Sequence, residues 1–99
     1  MNAQTHSITW QRRQAGESPT LIRNGLEERF SGSMAELVKS TSAVTLLTRD
    51  GAEVQVQVRH ALGSDSWEGT IVRVAPTNSS LKLGATVSFE ASHVQSGSV

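Results

Sequence analysis

"SPTLIRNGLEERF", residues 18–30, decides whether this chain reads as a mixture of helix and sheet or as sheet almost throughout. Ser18 suits an N-cap and Pro19 the first helical position. Ile22, Leu26 and Phe30 recur at i, i+4 and i+8, the spacing of one helical face. Against this stands Asn24-Gly25, a strong signal for a two-residue hairpin turn. Such a turn would set Arg23 opposite Leu26 and Ile22 opposite Glu27, pairing charged with apolar residues. The stretch is therefore predicted as a helix, with Gly25 costing about 1 kcal/mol relative to alanine.

Downstream, "SGSMAELVKSTS" predicts a second short helix. Ser33 as N-cap and Glu36 three residues later form a capping box. Met34, Leu37 and Val38 give it one apolar side, and Lys39 lies near the negative end of its dipole. From residue 43 the period changes from 3.6 to 2. A loop of Arg49-Asp50-Gly51 sets Leu46 against Val54 and Val44 against Val56, matching apolar with apolar. Val54, Val56 and Val58 then share one face, and Glu53, Gln55, Gln57 and Arg59 the other. "WEGTIVRV", residues 67–74, is apolar on both faces: Trp67 and Ile71 on one, Val72 and Val74 on the other. Gly69 within it marks a bulge or sharp bend. After a turn at "APTNSS", "GATVSFE" closes the sheet, and "ASHV" turns toward one more short strand.

The expected fold class is α+β. One or two short N-terminal helices precede a strongly bent antiparallel sheet, or small SH3-like barrel, of about five strands. Residues 1–18 are expected as a tail or short strand anchored by Ile8 and Trp10. Residues 19–95 make the single domain, and 96–99 a frayed end.

At 99 residues there is room for one domain with a thin core. Nine basic and nine acidic residues cancel, and neither half of the chain carries a basic cluster. Nucleic acid and anionic membrane surfaces are thus poor partners. There is no cysteine, which removes disulfides and thiolate chemistry and suits a reducing, cytoplasmic setting. "QRRQAGESP" holds a twin arginine with no apolar run after it, so an export signal is not expected.

Residues 67–94 resemble small SH3-like β-barrels. Trp67, Gly69, Leu81, Leu83, Gly84, Val87, Phe89, His93 and Val94 follow the W…G…LxLGDxVxF…HI order of a bacterial domain family of unknown function. Ala85 stands where that family carries Asp. Trp67, Gly69, Ile71 and Val72 are also similar to the W-x-G-x-I-V strand of the type II dihydrofolate reductases. The pore segment of those homotetramers has no counterpart here. Gly69, Ile71 and Val74 likewise resemble a strand of ribosome- and transcription-associated barrels.

Chemistry-bearing constellations are sparse. Glu90 and His93 stand three apart, but at a strand end and turn that spacing does not aim them together. Asp65 and Glu68 flank Ser66-Trp67 as a polar turn would. No catalytic residue, metal or cofactor is expected. The candidate binding residues are Gln57, Arg59 and His60 on the strand, Trp67 at a barrel edge, and His93. The second apolar face of residues 67–74, with Leu47, exceeds what one thin core needs. The sequence thus predicts a non-enzymatic binding or structural module that forms a homo-oligomer, with a further protein partner as the other candidate. The alternative is an enzymatic barrel whose site forms at a symmetric interface, where Gln55, Gln57, Arg59 and His60 would repeat around an axis.

Overall fold

The computed structural model describes residues 5–6 (backbone only), 9–14, 16–75 and 81–99. The expectations for Ile8 and for the turn at Pro76 lie outside the described residues.

Sheet dominates. The strands are β1 (Thr5–His6), β2 (Thr20–Arg23), β3 (Leu26–Arg29), β4 (Ala43–Leu47), β5 (Glu53–Ala61), β6 (Ser66–Ala75), β7 (Thr86–Glu90) and β8 (Ser96–Ser98). They form one sheet in the order β1-β7-β6-β5-β4-β8-β2-β3. Among the described residues one α-helix, α1 (Met34–Ser40), and one short 3₁₀ turn, Ala91–His93, accompany it. The five strands from β7 through β8 are mutually antiparallel, while β1 joins β7, and β2 joins β8, in parallel. No helix among the described residues is long and apolar enough to cross a membrane.

The α+β expectation fails at its deciding stretch. Residues 20–29 are not a helix but a hairpin, with Ile22 opposite Glu27 and Arg23 opposite Leu26. Asn24 (φ 54°) and Gly25 (φ 79°) both occupy the left-handed region, as a type I′ turn demands. The mismatch of partners is harmless because every β3 residue is exposed, so this edge strand has no core face to violate. Leu21, on β2, is buried through its place beside β8.

The expected register of β4 and β5 holds: Val44 faces Val56 and Leu46 faces Val54, and all four are fully buried. Gly51, at φ 94°, makes the loop. The expected frayed end at 96–99 is instead largely strand: β8 lies between β4 and β2, and Gly97 is buried. Strand β6 also departs from simple alternation. Gln55 pairs with Arg73 but Val56 with Ile71, so Val72 is an extra residue. This bulge turns Val72 to solvent and returns Val74 to the core with Ile71, rather than placing both valines on a second face.

The apolar cluster draws on β2, α1 and β4 through β7, together with Trp10 and Val94. Residues 9–14 cross it like a strap. Trp10 bridges to Thr48 and is buried, and Arg13 N–H donates to the Ser92 carbonyl beyond β7 (2.8 Å).

Candidate binding groove

The capping box fixes where α1 starts: Ser33 Oγ accepts from Glu36 N–H (3.2 Å), and Glu36 Oε1 accepts from Ser33 N–H (2.9 Å). Leu37 is fully buried and ties the helix to the sheet. The helix sits so close on β8 that a Cβ at Gly97 would lie 2.7 Å from Thr41 Cγ2 and 3.3 Å from Leu37 Cδ1. A glycine there lets α1 dock, and docking raises its other side as a wall beside β5 and β6.

Facing that wall is a second bulge. Val58 pairs with Gly69 and His60 with Glu68, leaving Arg59 as the extra residue. Gly69 makes the close approach possible, since a Cβ would lie 2.5 Å from the Gln57 carbonyl oxygen and 2.6 Å from Val56 Cγ1. A bulge breaks the in–out alternation, so Arg59 and His60 are both exposed.

Between α1 and this end of the β5–β6 hairpin lies a groove of about 380 Å³. Ala35, Val38, Val58 and Trp67 supply its apolar surface; Lys39, Arg59 and His60 supply charge or polarity. No acidic side chain lines it. His60 Nε2 lies 3.1 Å from Glu68 Oε1, and Arg59 Nε donates to Thr70 Oγ1 at 3.2 Å. Lys39 and Arg59 have no ion-pair partner among the described residues. Trp67 is also a core residue, nearly stacked on Phe89 with ring centres 6.0 Å apart.

Of the residues singled out by sequence, the structure gathers Arg59, His60 and Trp67 in this groove. Gln57 is exposed on β5 but does not line it. His93 lies elsewhere: its Nδ1 accepts from Glu90 N–H (2.9 Å). Burial, and then the Arg12 guanidinium, hold its pKa below the ordinary 6.5, while the Glu90 carboxylate pulls it up. The groove wall from α1 was not foreseen, because periodicity gives the buried stripe of a helix but not its neighbour. Lys39 was legible only as a helix-dipole partner.

A larger cleft of about 500 Å³ is lined by Ser64, Asp65, Ser66, Glu90, Ala91 and Ser92. Glu90 there is already paired with Arg12 at 3.0 Å, and Glu68 pairs with His60 rather than with Asp65. Among the described residues no three His, Asp or Glu side chains converge as metal ligands. Of these two, the smaller groove combines apolar surface with converging charge, the usual composition of a recognition site.

In comparisons with known proteins, no protein-family model, curated protein or solved structure matches this chain.

Proposed function

We propose that this protein is a non-enzymatic binding module whose groove between α1 and the β5–β6 hairpin takes an acidic, partly apolar segment of a partner protein. One observation carries the reading: Lys39 and Arg59 flank apolar Val38 and Val58 in a groove without a single acidic lining residue. A segment alternating carboxylates with leucine or valine would bury its apolar side chains and meet the two cations at the edges. The resemblance of residues 67–94 to small SH3-like barrels fits a binding role. It draws support from the strand order β7-β6-β5-β4-β8 and the 3₁₀ turn between β7 and β8.

The test is fluorescence anisotropy with a labelled peptide of alternating Glu and Leu, beside the same peptide with Lys in place of Glu. Binding of the acidic peptide that weakens with salt supports the proposal. Equal binding of both peptides, or of neither, refutes it.

Self-association is a second reading, and a separate observation favours it. Val72 and Leu83 are 45% and 68% exposed, and with Arg73, Val74 and Leu81 they line a mostly apolar depression of about 260 Å³. A second copy would cover it. Sedimentation over a range of concentrations tests this: a monomer throughout refutes it, and Val72→Lys should dissociate any oligomer formed there.

A further inference from the structure

The strap of residues 9–14 is held as a bound peptide would be. Gln11 N–H donates to the Leu47 carbonyl (2.8 Å) and Gln11 Nε2 to the Thr48 carbonyl (2.9 Å). Trp10 Nε1 donates to the Ser88 carbonyl (2.9 Å). Arg13 gives its N–H to the Ser92 carbonyl (2.8 Å) and one guanidinium N–H to the Ala91 carbonyl (3.0 Å). Arg12 reaches Glu90 at 3.0 Å and also contacts the Ser92 hydroxyl. The slot thus offers five main-chain carbonyls and the strap five donors, two from its main chain and three from side chains. Trp10 fills apolar space at the centre, 5% exposed.

Such a slot cannot stand empty without cost. Carbonyls deprived of donors and an unfilled indole site would each destabilise the fold. Some segment of this chemistry must occupy it.

The turn that follows the strap, by contrast, is held by local, exposed bonds, although beyond it Pro19 is buried and its carbonyl accepts from Phe30 N–H (3.0 Å). Glu17 N–H donates to the Gln14 carbonyl (3.0 Å), Gln14 N–H to Glu17 Oε1 (2.9 Å), and Arg13 Nη1 to the Glu17 carbonyl (2.8 Å). Gly16, at φ 88°, turns the chain there. Water can replace these bonds when the turn opens. Every contact of the strap with β4, β7 and the 3₁₀ turn would re-form unchanged with an identical strap.

We propose that the slot is a peptide-recognition site that takes the Trp10–Arg13 segment of a second copy, so that two chains exchange straps and each completes the other's core. The proposal rests on self-association, through strap exchange rather than through the depression beside Val72. Exchange loses only the advantage of an intramolecular partner, so it rises with protein concentration.

The full-length chain tests it. Isotope-labelled and unlabelled protein are mixed, and magnetisation transfer is followed from the Trp10 indole of one chain to Ser88 and Thr48 of the other. Transfer between chains that grows with concentration is the expected result. A dimer whose Trp10 contacts lie all within one chain overturns exchange while leaving association intact. A monomer at every concentration overturns both. A Gly-Ser-Gly-Ser insertion after Gly16 leaves all strap contacts available and relaxes the turn, so it should lower the exchanged fraction by roughly tenfold. An unchanged fraction also overturns the proposal.

Discussion

The indole N–H of Trp10 donates to the main-chain carbonyl of Ser88, 2.9 Å away and 78 residues along the sequence. That bond, together with the bridge from Trp10 to Thr48, links the end of β4 with β7 across the core. The strap is thus part of the fold, and substitutions at Trp10 should report on its two contributions separately. Trp10→Phe keeps a ring but loses the donor, and should cost about 1 kcal/mol. Trp10→Ala also opens a cavity and should cost about 3–5 kcal/mol. Urea unfolding followed by circular dichroism measures both; a Trp10→Phe protein as stable as the native one would show that the hydrogen bond contributes nothing.

Gly69 is expected to tolerate no side chain. A Cβ would press on the Gln57 backbone at 2.5 Å, and backbone cannot move aside as a flexible side chain can. Gly69→Ala should therefore destabilise by about 1–3 kcal/mol and disturb the bulge at Arg59. Amide chemical shifts of residues 57–60 should move well beyond those of residues 44–46. A folded Gly69→Ala protein with unchanged shifts and midpoint would contradict the close approach.

His93 makes stability sensitive to pH. Burial and the nearby Arg12 depress its pKa below 6.5 in the folded chain, so between the folded value and 6.5 the unfolded chain binds more protons. Its contribution is complete above 6.5 and is lost as pH falls through the folded-state value. Protonation would also remove the acceptor that Nδ1 offers to Glu90 N–H. The urea midpoint of the native protein should drop over this window, and His93→Asn should flatten that drop. The same slope in both would assign the effect to other groups.

In the groove, Lys39→Gln and Arg59→Gln should each weaken an acidic peptide by about 0.5–1 kcal/mol at low salt and by less at high salt. Both side chains are exposed, so unfolding midpoints should barely change. Val38→Asp, which places a carboxylate among the apolar lining, should abolish binding. Anisotropy titrations that leave affinity unaltered in all three variants would move the site elsewhere.

How far the sequence could be read depended on which surface each side chain met. The β4–β5 register was legible because Val44, Leu46, Val54 and Val56 all face one core. Helix α1 was legible from Ser33 and Glu36, whose capping is a local matter. Residues 20–29 misled because the test of partners assumed a buried face, and β3 has none. Strand β8 carries the sequence Ser-Gly-Ser, with no apolar alternation to see; its burial comes from the helix laid over Gly97. Bulges reset the phase at Val72 and Arg59, which a strict period of two cannot anticipate. The groove was half legible: hairpin pairing brings His60 beside Glu68 and next to Trp67, but Lys39 arrives through tertiary docking of α1.

Strand β8 has one more consequence, for how the chain folds as it is made. Among the described residues it is the only strand joining β4 to the β2–β3 hairpin, and it pairs with both through residues 96–98. While those residues are still inside the ribosome, the emerged hairpin has no neighbouring strand on which to dock and Leu37 lacks the glycine surface beneath it. Maturation should therefore come as one late, cooperative step, once Ser98 has left the ribosome.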